Sequence, residues 1–272
     1  MDPIVLILGL VVLAAVTLDF LAVTVGATMR ATLTGHVGHL VFMGMRAAAR
    51  WGGEALFTRV SGVVVMSAVA TVWIVGTWVG WSLIYGSFAG SLAMGPTGVE
   101  PEAPDFAAHT GHLLSTLGGA RTAPSAAPWG IVGVLVGVNG MVVLTASVSF
   151  LLSVRQTVQA GRAFATLQDL EALDPAEDLP RLAELVAGLH AAPFALWYAA
   201  PRLDRQLPAA ILGFARDSHA RGGTAWRRVE VVLRDLPHLP QRDGPLLPVL
   251  AAWAQAHTIQ RMDEGEVRAA DA

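Results

Sequence analysis

Phe106-Ala107-Ala108-His109-Thr110-Gly111-His112-Leu113-Leu114-Ser115-Thr116-Leu117-Gly118-Gly119-Ala120 is the stretch on which the fold turns. Phe106 to Leu117 reads as a helix of about twelve residues, roughly 18 Å long and too short for a hydrocarbon core of about 30 Å. A Gly-bearing turn ends it. Turn-rich, acidic sequence from Gly95 to Asp105 precedes it, and a Pro-rich segment from Pro124 to Pro128 follows. Long apolar runs lie on either side, at roughly 62–92 and 130–154, with another at 4–29. The order is span, half-depth helix, turn, return, span. Irregular backbone at membrane depth is tolerated only where protein buries it or a watery cavity solvates it. The pattern therefore predicts an all-α membrane protein with three transmembrane helices and a re-entrant pore helix, followed by a helical cytoplasmic domain.

Composition agrees. The chain has 272 residues, 54% hydrophobic and 14% charged, with mean hydropathy +0.54. Residues 1–158 hold 12 of the 39 charges with no net charge, and residues 159–272 hold 27. The formal net charge of -3 argues against a strongly basic nucleic-acid binder, so no nucleic-acid partner is expected. Without Cys there is no thiol chemistry, and without Lys no Schiff base or phosphate-loop lysine. No nucleophile, base and orienting group occur together, so an enzyme is not expected. No cofactor is expected either, and no metal beyond permeant cations.

The arginines set the expected topology, because loops near helix ends keep Arg on the cytoplasmic side. Arg30, Arg46, Arg50 and Arg59 lie between the first two spans, and Arg155 and Arg162 follow the third; residues 93–128 carry only Arg121 against Glu100, Glu102 and Asp105. This places the N-terminus outside and the C-terminus cytoplasmic in a multi-pass inner or plasma membrane protein. Trp81, Tyr85 and Trp129 are expected near the outer interface. The expected divisions are 1–59 (an N-terminal transmembrane helix and a cytoplasmic linker helix), 60–158 (a two-helix pore domain with pore loop 106–121) and 159–272 (the helical cytoplasmic domain).

This layout resembles the pore domain of the potassium-channel superfamily, in its bacterial form with an extra N-terminal helix. The resemblance covers roughly residues 60–158. Ser115-Thr116-Leu117-Gly118-Gly119-Ala120 stands where such channels carry Thr-Val-Gly-Tyr-Gly or Thr-Leu-Gly-Phe-Gly, and Gly140 lies about where their inner helix has its hinge glycine. The resemblance implies a homotetrameric channel passing potassium or sodium ions, with the bilayer and copies of the chain as partners. Thr116, Leu117, Gly118, Gly119 and Ala120 would form the ion-binding filter, with His112, Ser115 and Arg121 supporting it or lining the mouth. Gly119 replaces a bracing aromatic, Ala120 a second glycine, and Arg121 stands where an acid is common. Those departures imply a softer filter with poor discrimination between potassium and sodium, or one that conducts only after rearrangement. A non-conducting scaffold or sensor that keeps the pore fold is the rival expectation.

Other polar residues carry weaker signals. Asp19 inside the first span is either a polar contact between helices or an ion relay. Asn139 either faces the cavity or bonds a neighbouring helix. His36 with His39, and His109 with His112, share helical faces; structural roles outweigh metal binding because neither pair has a nearby third ligand. Gly76-x-x-x-Gly80, Gly86-x-x-x-Gly90 and Gly133-x-x-x-Gly137 have the spacing of close helix contacts.

Overall fold

The computed structural model describes residues 1–24, 32–94, 100–117, 121–240 and 244–260. They form helices α1 (Pro3–Thr24), α2 (Leu33–Ala49), α3 (Glu54–Gly86), α4 (Ala103–Leu114), α5 (Ala127–Asp169), α6 (Leu179–Ala191), α7 (Leu207–Arg221), α8 (Gly223–Leu233) and α9 (Leu246–His257), with two short strands, β1 (Leu92–Met94) and β2 (Thr122–Pro124). Among the described residues, α1, α3 and α5 are long and apolar enough to cross a membrane. The protein is thus a predominantly helical membrane protein.

Local chemistry sets the helix ends. Asp2 caps α1 by accepting the Ile4 and Val5 amides at 3.0 and 3.3 Å, and Pro3 costs nothing at a first-turn position whose N–H needs no partner. α4 begins three residues before Phe106 and ends three before Leu117. The cause lies in the acidic run: Pro104 sits in the first turn, and Asp105 Oδ2 accepts the Glu102 N–H at 3.0 Å, so residues that read as turn start a helix. α5 runs fifteen residues past the expected end of the third span, to Asp169, because no Pro or Gly pair interrupts it.

The chain divides into two compact units. Unit one holds residues 1–36 and 68–150; unit two holds 37–67 and 151–272. Helices α2, α3 and α5 contribute to both.

In unit one, α1 and α3 approach closely through Gly9, Gly76 and Gly80. A Cβ on Gly9 would stand 3.0 Å from the Gly80 carbonyl oxygen, and one on Gly76 2.5 Å from Val16 Cγ2. A Cβ on Gly90, of the second glycine pair, would meet none of the described residues within 4 Å. β1 and β2 pair antiparallel, Leu92 opposite Pro124 and Met94 opposite Thr122, which ties the strand after α3 to the strand before α5. Three-residue strands carry too little alternation to be legible in sequence.

In unit two, the α6–α9 segments bury Leu182, Leu189, Ile211, Leu212, Leu233 and Trp253 almost completely. Each such side chain contributes about 1.5–3 kcal/mol. Phe164 of α5 meets Phe214 of α7 edge-on at 5.4 Å, and Gly161 makes room for Leu207. The 3-10 turn Pro193–Trp197 packs on α2, where Phe42 stacks on Trp197 at 6.1 Å.

Candidate functional site

The polar centre of unit one is built around α4. Trp78, Ser82 and Tyr85 follow one another at three- and four-residue steps and so share a face of α3. That face holds α4. The Trp78 indole N–H donates to the Ala107 carbonyl at 2.7 Å, the Ser82 and Thr110 hydroxyls are hydrogen-bonded at 2.7 Å, and the Tyr85 ring lies 5.3 Å from His109. Tyr85, expected at a membrane interface, is fully buried, packed also on Trp129 and donating its hydroxyl to the Trp129 carbonyl at 3.2 Å. A polar atom on an otherwise apolar span needs a partner inside the protein, and that need is what draws this face inward. The three-residue pattern was the available sequence signal, and reading Tyr85 as an interface anchor hid it.

The other end of α4 rests on α5. Gly133, Gly137 and Gly140 form a stripe against Leu113 and Leu114. A Cβ on Gly140 would stand 2.4 Å from the Leu114 carbonyl oxygen and 2.8 Å from its Cα. Glycine at 140 therefore serves close packing, within a helix that continues without interruption on either side. Asn139 beside it bonds a neighbouring helix, its Oδ1 accepting the Trp81 indole N–H at 3.0 Å.

Beyond α4 the chain turns sharply. Ser115, Thr116 and Leu117 are exposed, and Thr116 takes a left-handed φ of 59°. That region is costly for a β-branched residue. Gly118, Gly119 and Ala120 lie outside the described residues. His112 is half-buried, with Ser115 Oγ donating to its carbonyl at 3.2 Å. His109 is the buried histidine of the pair; its Nδ1 is 3.0 Å from Thr122 Oγ1 on β2, and its Nε2 has no hydrogen-bond partner among the described residues. Arg121 is exposed and makes no ion pair among the described residues.

Asp19 is buried and joins three helices. It accepts the Thr34 amide at 3.1 Å, the Thr34 hydroxyl at 2.7 Å and the Trp73 indole N–H at 2.9 Å. Among the described residues, no three or more His, Asp or Glu side chains are placed to hold a metal ion.

Three helices of membrane-crossing length, with the twelve-residue α4 packed between α3 and α5, define the class, a helical membrane protein. The chain is 31% identical over 162 residues to the uncharacterized membrane protein YdjJ of Bacillus subtilis (strain 168), a match covering 59% of this chain and 47% of that protein. The chain thus spans about half the length of the curated relative it matches. No protein-family model matches, and no solved structure matches.

Proposed function

We propose that the protein is a cation channel of potassium-channel type, passing potassium or weakly selecting among monovalent cations through backbone carbonyls of residues 116–120. The observation that carries this reading is α4. A helix half the length of a span, pinned by Trp78, Ser82 and Tyr85 on one side and by Gly133, Gly137 and Gly140 on the other, presents its C-terminal end to the turn that opens at Ser115. The partial negative charge of that end favours a cation at the turn. Thr116 supplies a hydroxyl, and Leu117, Gly118, Gly119 and Ala120 supply carbonyls in place of a hydration shell. One turn per chain cannot encircle an ion, so the reading requires a symmetric ring, taken to be a homotetramer. The chain lies in the inner or plasma membrane with the N-terminus outside and the C-terminal half cytoplasmic, as the arginine distribution supports.

The test is flux. Purified protein in liposomes should dissipate a potassium gradient, and Gly118→Leu should abolish that flux while leaving the oligomer intact. Equal flux from both proteins would sink the reading.

A second reading, a non-conducting scaffold or sensor with the pore architecture, is favoured by Arg121. Repeated around a ring, an exposed arginine with no ion partner among the described residues repels cations at the mouth. Dimers in place of tetramers by native mass spectrometry, together with no flux, would favour it.

A further inference from the structure

Unit two contains a cavity of about 620 Å³ between the end of α5, the 3-10 turn Leu203–Arg205 and α7. Its walls include Gln168, Asp169, Arg202, Leu203, Gly213 and Arg216. The acids there are already matched. Asp169 pairs with Arg202 at 3.2 Å and with Arg205 at 2.9 Å, and Asp204 is gripped by Arg202. Hydrogen bonding to that guanidinium holds the Asp204 carboxyl below the usual carboxylate range. Asp217, next to Arg216 in sequence, accepts a hydrogen bond from Gln168 Nε2 at 2.5 Å.

Arg216 differs from these arginines. Its Nε and Nη2 are both buried, and neither has a hydrogen-bond partner among the described residues. These two nitrogens form one edge of the planar guanidinium, the edge that meets two carboxylate oxygens side-on. The same chain uses that edge elsewhere: Arg202 turns Nε and Nη2 to Asp204, and Arg234 turns both to Glu230. A solvated surface arginine loses nothing by lacking a protein partner, but an edge out of reach of water and unpaired is costly. Turned toward the adjoining cavity, that edge would be completed by an anion there.

We propose that this cavity is a binding site for a small organic anion, a carboxylate or phosphate carried on a partly apolar body, with Arg216 as its anchor. The charge follows from the unpaired guanidinium edge. A two-oxygen head follows from the geometry of that edge, for which lysine is no substitute. The apolar body follows from Pro201, Leu203, Ala209 and Ala210 in the same wall, and the volume falls in the range of small-molecule sites and exceeds what an inorganic ion needs. Binding turns the guanidinium about its terminal torsions, so that the edge now sealed faces the cavity. The proposal does not depend on whether unit one conducts ions.

The experiment is calorimetric titration of the full-length protein in detergent with sodium phosphate, phenyl phosphate and sodium benzoate, each at constant ionic strength. Saturable binding of phenyl phosphate or benzoate is expected, tighter than that of inorganic phosphate. Arg216→Lys should weaken it at least about tenfold, and Arg216→Gln should abolish it. Arg181→Gln, at an arginine away from the cavity and paired with Asp178, should leave it unchanged. Should Arg216→Gln not fold, as judged by circular dichroism, Arg216→Lys decides. Absence of saturable binding to the wild type, or equal affinity in Arg216→Lys, would overturn the assignment.

Discussion

The indole N–H of Trp73 donates to Oδ2 of Asp19 at 2.9 Å, joining α3 to α1 through a carboxylate that also takes both the amide and the hydroxyl of Thr34. Around this bond, Phe20 and Phe150 pack edge-on against the Trp73 ring at 5.1 and 5.3 Å. Three donors converging on one buried acid make a structural joint. Asp19→Ala strands all three and should cost at least about 3 kcal/mol, as each buried unmet donor costs roughly 1–3 kcal/mol. Asp19→Asn keeps one acceptor oxygen and should lose less. Thermal unfolding in detergent, followed by tryptophan fluorescence, distinguishes the two; equal losses would refute the joint.

Glycines in this chain should respond to alanine according to what a methyl group would strike. At Gly140 it meets backbone, the Leu114 oxygen at 2.4 Å, which cannot rotate away. Gly140→Ala should therefore cost about 1–3 kcal/mol and loosen α4. Among the described residues nothing lies within 4 Å of where a Cβ on Gly44 of α2 would stand, so Gly44→Ala should be neutral or stabilise by up to about 1 kcal/mol through reduced backbone entropy. Denaturation midpoints of the two variants should move in opposite directions or, at the least, differ by that margin.

The contrast shows what the sequence could carry. The three spans were legible because a run of about 20 apolar residues has few alternatives to a membrane helix. The existence of α4 was legible from its length between spans, but its register was not. Glu102 and Asp105 read as part of an acidic turn, whereas Asp105 is occupied in the cap at the start of α4. For Asp19 and Asn139 the residue type announced a buried polar group without saying which helix would supply the donor. Trp73 and Trp81 lie 54 and 58 residues away from them, and only the packed fold selects them. The edge of Arg216 was invisible for the same reason. Among eighteen cations, nothing local separates a solvated arginine from a stranded one.

Acid should loosen α9. Burial pushes His257 down to about 4 from an ordinary value near 6.5; the bond of its Nδ1–H to the Trp253 carbonyl, at 2.8 Å, opposes the shift, and His238, His39 and Arg46 reinforce it. With the folded value depressed, the unfolded chain takes up the proton first as pH falls. Stability is therefore full above about 6.5 and is lost progressively toward pH 4, by at most about 3 kcal/mol. His257→Gln removes the proton-binding group and should flatten that part of the profile. Unfolding midpoints at pH 7.5 and pH 5 for both proteins provide the check, and an unchanged slope in the variant would assign the acid sensitivity elsewhere.

The anchoring of α4 makes the last prediction. Ala107 accepts the Trp78 indole N–H at 2.7 Å near the middle of a twelve-residue helix, and a helix of that length is marginal without tertiary support. Trp78→Phe keeps most of the ring but removes the donor, which should cost about 1 kcal/mol locally. The effect should concentrate in α4: hydrogen exchange of the Phe106–Leu114 amides should quicken about fivefold, while exchange in α7 and α9 of unit two stays as it was. A Ser82→Ala variant, which removes the hydroxyl bonded to Thr110, should act on the same amides, and the two effects should not be additive because both bonds clamp one short element. Uniform acceleration across both units would mean that the two bonds support global stability instead of holding α4 in place.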